Sequence, residues 1–335
     1  MRFGLFFLPL ASTRSEAGAE YDRMLAECVE ADLRGWDSVW FAEHHFDRYG
    51  GIVPSPFVLM AAAARLTHHV RLGTAVSVLP LRDPVRLAEE AAMVDILSNG
   101  RVDLGVGRGF MAHEFAAVLL SSEQRDAKVL EGWQTIQGIW DEQGASYQGE
   151  TVRFHALRLM PRPAQSPHPP LWMAASVSRQ SFETAGKHGF HLMLNPYNRT
   201  HEELDNGLRV YREAAEKAGF TWETRRILVN FPLLLAASSA AAKAEARGPF
   251  SRYLLAMEAA FQRNGTGERI SSGDYDAVAA KVLFGTPDEA VEKLLAWKAW
   301  GATDVSLMSR FADLPFEAAE RSRDLLIRQV APRLR

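Results

Sequence analysis

Eight short apolar runs, each followed by a helix-like pattern, constrain this 335-residue chain more than any other feature. The runs are FGLFFLP (3–9), SVWFAEHH (38–45), RLGTAVSVL (71–79), RVDLGVGRG (101–109), LWMAASV (171–177), HLMLNPY (191–197), ILVNFPLLLA (227–236) and DVSLMSR (304–310). They are continuous rather than alternating, as expected of parallel strands covered on both faces. Helical patterns over 21–34, 56–66, 84–97, 124–141, 179–188, 201–218, 287–299 and 315–330 fill the gaps. Thr286-Pro287-Asp288-Glu289 is a helix start, with a cap, a first-turn proline and two acids. Gly35, Gly100, Gly189, Gly219 and Gly301 stand where helices end in a left-handed residue. The count predicts a (β/α)8 TIM barrel. A doubly wound open sheet is the alternative, but no Gly-x-Gly-x-x-Gly turn follows the first run. One domain is expected over 1–335. It carries two insertions, the Pro-rich 143–170 before strand 5 and 247–275 after strand 7, the second a candidate lid.

Charge and cysteine usage narrow the function classes. The net charge is −3 and no basic block stands out, which argues against a nucleic-acid binder. The single cysteine, Cys28, supports neither a disulfide framework nor a thiolate metal site, and a reducing, cytoplasmic setting is expected. No run approaches the roughly 18 apolar residues of a membrane span. The opening MRFGLFFLPLASTRSEAGAE has some character of a secretory leader, but Gly4 and Pro9 interrupt its apolar run, only one basic residue precedes that run, and FGLFFLP reads better as a first buried strand.

In a barrel, chemistry sits at the C-terminal ends of the strands, and four clusters fall there. Glu43-His44-His45 ends the second strand. Side chains alternate along a strand, so His44 shares a face with Trp40 and Ala42 and is the better candidate to face the barrel interior. Three titratable groups in a row favour catalysis over a satisfied core histidine, and adjacent strand histidines diverge too far to share a metal. The second cluster, Gly73-Thr74-Ala75-Val76-Ser77, implies a flat or bulky group against the backbone, or else a plain β-bulge. The third, Gly105-Val106-Gly107-Arg108-Gly109, pairs close backbone approach with a guanidinium suited to phosphate. The fourth, Ala174 to Ser181, brings hydroxyls to a helix start, either as part of an anion site or as simple caps.

With these clusters in place, the chain resembles the bacterial luciferase-like flavin monooxygenases over essentially its whole length. The resemblance rests on WFAEHHF, on RLGTAVSVLPLRDPVRLAEEAAMVDILSNGRVDLGVGRGFMAHEF and on PLWMAASVSRQSFETAGKHG. It implies a (β/α)8 barrel using reduced FMN, supplied by a separate flavin reductase, and dioxygen. The implied substrate is a small organic molecule such as an aldehyde, alkane or sulfonate. By resemblance His44 is catalytic, a general base or proton shuttle, with Glu43 and His45 holding its tautomer or meeting the flavin edge. Thr74, Ala75 and Val76 would lie beneath the flavin ring, with a non-proline cis peptide between Ala75 and Val76. Gly107, Arg108, Gly109, Ser176 and Ser178 would receive the phosphate. Two departures stand out: Gly107 replaces the cysteine that precedes the phosphate arginine in luciferase, and Ala175 stands where luciferase has an acid. Light emission is therefore not expected. The resemblance also implies a homodimer packed through early helices, the small-sided 56–66 among them. Two rival functions remain at this stage, a deazaflavin-dependent dehydrogenase of the same superfamily and a non-catalytic flavin-binding protein.

Overall fold

The computed structural model describes residues 1–11, 13–141, 143–175, 178–263 and 275–335. Among these, eight parallel strands close on themselves: β1 (Arg2–Phe7), β2 (Ser38–Phe41), β3 (Arg71–Thr74), β4 (Val102–Gly107), β5 (Leu171–Ala174), β6 (His191–Leu194), β7 (Ile227–Leu235) and β8 (Asp304–Met308). Each pairs with the next, and β8 returns to β1 through Arg2↔Asp304 and Leu5↔Leu307. The (β/α)8 barrel is therefore the fold, and all eight apolar runs are strands of it.

Eight helices alternate with these strands: α1 (Arg14–Arg34), α2 (Pro56–Leu66), α3 (Pro84–Leu97), α4 (Ser122–Ile139), α5 (Arg179–Lys187), α6 (His201–Lys217), α7 (Pro287–Trp300) and α8 (Phe316–Leu325). Capping boxes start several of them. Thr13 with Glu16 begins α1 seven residues ahead of its apolar periodicity, and Thr286 with Glu289 begins α7; each such cap is worth about 1 kcal/mol.

The barrel interior is filled by Trp40, Trp172, Met193 and Leu228, against which Phe6, Ala75, Val76 and Ala174 pack. Trp40 and Trp172 meet edge to face with ring centres 5.4 Å apart. Trp40 explains two glycines on the strands beside it. A Cβ at Gly73 would come within 2.1 Å of the Trp40 indole, and one at Gly4 within 2.9 Å of its Nε1. The flat group that the strand-three glycine makes room for is thus the protein's own tryptophan. Val39 and Phe41 point the other way, into the larger core between strands and helices, as strand alternation requires.

Both irregular segments have structure of their own. Within 143–170, Ala145–Gln148 and Arg153–Leu157 form an antiparallel hairpin. Residues 247–263 are the continuation of a long helix, Ser239–Arg263, that runs through Pro249; residues 264–274 lie outside the described part. β7 overhangs its neighbours, and Leu233–Leu235 at its end pair with an additional short strand, Leu283–Gly285. No helix among the described residues is long and apolar enough to cross a membrane.

Candidate active site

β2 ends at Phe41, so Glu43, His44 and His45 sit on the rim that follows it. Glu43 is almost fully buried. Its carboxylate accepts from Ser77 Oγ at 2.9 Å and from Arg82 Nη2 at 3.0 Å, and lies 3.2 Å from His45 Nε2. Burial alone would raise the Glu43 carboxyl. The His45 hydrogen bond and the Arg82 and Ser77 contacts outweigh burial and hold it below the ordinary carboxylate range. A carboxylate only accepts, so it fixes the proton of His45 on Nε2.

His44 has a different partner, one that the sequence reading missed. Its Nδ1 lies 3.2 Å from Oε1 of Glu114, and the same oxygen accepts the backbone N–H of His45 at 2.8 Å. Glu114 belongs to a short helix, Ala112–Ala117, that follows β4; it is 1% exposed and its Oε2 has no hydrogen-bond partner. The His44 proton therefore rests on Nδ1, and Nε2 keeps its lone pair. The available signal was the His113-Glu114 pair in the mostly apolar stretch GFMAHEF, which no spacing rule ties to a histidine 70 residues earlier. The His44 ring is further enclosed by Tyr49 and Phe110, at 5.4 and 5.7 Å between centres. Gly50, at φ +72°, packs its backbone on the same ring, and a Cβ there would come within 2.9 Å of His44 Cδ2.

Between β2 and β4 the third strand breaks. Ala75–Val76 is a cis peptide without proline, as the resemblance implies. The strand resumes at Ser77–Val78, which pairs with Val106 and Gly107. Thr74 bridges the break: its hydroxyl donates to the Gly105 carbonyl at 2.5 Å and accepts the Gly105 N–H at 2.9 Å.

Of the remaining predicted residues, Gly107, Arg108 and Gly109 lie at the end of β4, and Ser178 lies between β5 and α5. A cavity of about 280 Å³ is lined by Arg108, Asp126, Met173, Ala174, Gln180 and Ser181. Arg108 Nη2 is ion-paired with Asp126. Arg125 lays its guanidinium over the Phe115 ring at 5.3 Å, and its Nε is buried without a hydrogen-bond partner. Ser178 precedes α5, and its hydroxyl makes no cap bond to that helix; Ser176 lies outside the described residues. Gly109 takes a left-handed φ of +67°, and a Cβ at Gly107 would press to 2.6 Å from Val76 Cγ2. The Arg108 guanidinium, the Gln180 and Ser181 side chains on the cavity wall and a helix N-terminus are the donors a phosphate takes. Glycine at 107 keeps the adjoining surface open, so the residues present fit a phosphate-bearing flavin.

A wall stands over His44. Phe261 of the Ser239–Arg263 helix stacks on Phe110 at 5.0 Å, Tyr253 shares a 3.1 Å hydroxyl contact with Tyr49, and Arg263 is ion-paired with Asp47. Burial pushes the Tyr49 and Tyr253 phenols up, so both stay protonated.

Comparison with known proteins decides the family. The sequence profile described as luciferase-like monooxygenase matches residues 1–304. The chain belongs to that family. It is 29% identical, over 99% of its length and 95% of the relative's, to the oxygenase component of a flavin-dependent trigonelline monooxygenase from Acinetobacter baylyi. Among solved structures, monooxygenase RslO1 from Streptomyces bottropensis superposes with a TM-score of 0.90 at 31% identity, covering 99% of both chains. Two more distant structures share the fold. The oxygenating constituent of 3,6-diketocamphane monooxygenase from Pseudomonas putida, in complex with FMN, has a TM-score of 0.82 at 23% identity, covering 100% of this chain and 99% of that one. An F420-dependent secondary alcohol dehydrogenase has a TM-score of 0.79 at 18%, with the same coverage. The chain is thus a flavin-dependent oxygenase by family and by relatives.

Proposed function

We propose that this chain is the oxygenase component of a two-component FMN-dependent monooxygenase. A separate flavin reductase would deliver reduced FMN, and dioxygen and a small, largely apolar organic molecule would be the other substrates. The observation that carries this reading is the pairing of two half-sites on the strand ends that flank the broken third strand. One is an oriented histidine, His44 held by Glu114; the other is the cavity at Arg108. Bound reduced FMN would supply the electrons that activate dioxygen.

The chain's own residues do the rest. Arg108, Gly107, Gly109, Ser178 and Ser176 would receive the phosphate, and Thr74, Ala75 and Val76 would support the ring. His44 takes and returns a proton at Nε2, because Glu114 fixes the other proton on Nδ1. His45 and Glu43 hold the rim against β3 through Ser77 and Arg82. The Ser239–Arg263 helix, whose residues 247–263 fall in the expected lid segment, excludes water through Phe261 and Tyr253; dryness of this kind protects reactive species from hydrolytic loss.

A second copy would cover Val58 and Leu66 of α2 with Met93, Ile96 and Leu97 of α3, large apolar side chains exposed on two adjacent helices. The setting under this reading is the cytoplasm, within one barrel domain.

Similarity to the F420-dependent dehydrogenase keeps one second reading in play, hydride transfer with a deazaflavin. Anaerobic titration with reduced FMN and with reduced F420, followed by admission of oxygenated buffer, separates the two. The proposal expects FMN to bind and dioxygen to be consumed. Binding of F420 alone, with no oxygen uptake, would favour the dehydrogenase.

A further inference from the structure

The cradle at Arg108 contains a carboxylate as well as its cation. Asp126 is ion-paired with Arg108 Nη2, and its Oδ1 also lies 3.7 Å from Arg125 Nε. Both arginines are therefore turned toward one acid that lines the same cavity as Gln180 and Ser181. A flavin phosphate carries about −1.5 to −2 charge at neutral pH. It needs Arg108, and it meets Asp126 as a like charge. The pair is not buried: side-chain exposure is 30% for Arg108 and 45% for Asp126, so water can take over either partner when the pair opens. Opening is therefore an exchange of one partner for another, with a modest cost.

We propose that Asp126 is a built-in competitor for the cofactor phosphate, which occupies Arg108 while the cradle is empty and shortens the residence of the flavin. This rests on the reading that Arg108 receives the FMN phosphate. It suits a chain whose flavin must arrive reduced and leave oxidised in every cycle, because a cofactor exchanged with a reductase must dissociate at a useful rate.

Riboflavin, which has the ring but no phosphate, makes the test specific. Affinities and dissociation rates of FMN and riboflavin are measured by flavin fluorescence for the wild type, Asp126→Asn and Asp126→Ala, at low and at high salt. Removing the acid is expected to tighten FMN by about three- to fivefold, mostly through slower dissociation, and to leave riboflavin unchanged. The gain shrinks as salt screens the pair. If both variants bind FMN as the wild type does, or more weakly, while the wild type still prefers FMN to riboflavin, the competitor role is overturned and the phosphate reading stands. If the wild type itself binds the two flavins equally, the phosphate reading falls and this inference falls with it.

Discussion

Replacing Glu114 with glutamine removes one charge from the active site and almost nothing else, so its effect can be worked from the geometry. The side chain keeps its size and one acceptor oxygen, and that oxygen serves two hydrogen bonds, from His45 N at 2.8 Å and His44 Nδ1 at 3.2 Å. The new amide nitrogen takes the place of Oε2, which has no hydrogen-bond partner, so no bond is gained there. Hydrogen bonds to a charged group are worth about 1.5–3 kcal/mol and neutral ones about 0.5–1.5, so each bond weakens by roughly 1 kcal/mol. The bond from His45 N is the same whether or not His44 carries an extra proton, and its loss appears only in stability. The bond from Nδ1 strengthens as His44 takes a proton at Nε2, and its loss appears in rate, roughly fivefold to tenfold. The assay is stopped-flow reoxidation of protein-bound reduced FMN in air-saturated buffer, with urea unfolding measured in parallel. A double-mutant cycle with His44→Ala decides the cause: once His44 is absent, Glu114→Gln is expected to add less than a twofold change. An equal rate loss in both backgrounds would refute the claim that Glu114 acts through His44.

Further outcomes follow from single contacts. His44→Ala is expected to slow turnover by about 10²–10⁴ while FMN affinity changes little, read by the same kinetics and by titration. Arg101 is buried and donates to the carbonyls of Ala64, Thr67, Val70 and Ser98 and to the Thr67 hydroxyl, tying the C-terminal ends of α2 and α3 to the segments that lead into β3 and β4. Arg101→Met orphans those acceptors and is expected to cost about 3–5 kcal/mol, seen as a lower urea midpoint. His191 accepts the Arg226 N–H at Nδ1, and burial with the nearby Arg226 and Arg225 pushes its pKa down to about 3. The unfolded chain therefore binds this proton first. Stability from this group is full above about pH 6.5 and falls as pH drops toward 3, by at most about 1.4 kcal/mol per unit. A His191→Asn variant is expected to flatten that slope between pH 6.5 and 4. Leu66→Asp with Met93→Asp is expected to convert a dimer to monomer in sedimentation analysis without unfolding it.

What the sequence disclosed and what it hid divide along physical lines. Strands buried on both faces leave continuous apolar runs, and helices leave caps, so all eight β/α units were legible. The rim position of the histidines was legible because three titratable residues follow directly on a buried apolar strand, although that strand ends at Phe41 and its alternation does not reach them. The Ser239–Arg263 helix was hidden by Gly248-Pro249, a pair that reads as a break. Phe250, Tyr253, Leu254 and Met257 bury one face of it, and packing overrides the local preference. Glu114 and Asp126 were hidden for another reason. Each acts across space on a residue from a different segment or turn, and a lone acid carries no periodic signal. Gly73 was legible as a close approach, but the group approaching it is Trp40.

The central claim is that one flavin bridges the His44 rim and the Arg108 cradle, and a crystal structure of the FMN complex tests it most directly. The phosphate is expected on Arg108 at the N-terminus of α5, released from Asp126, with the ring over Ala75–Val76 and its reacting edge beside His44. A phosphate bound elsewhere, or a ring held away from His44 with the Arg108–Asp126 pair intact, would contradict it.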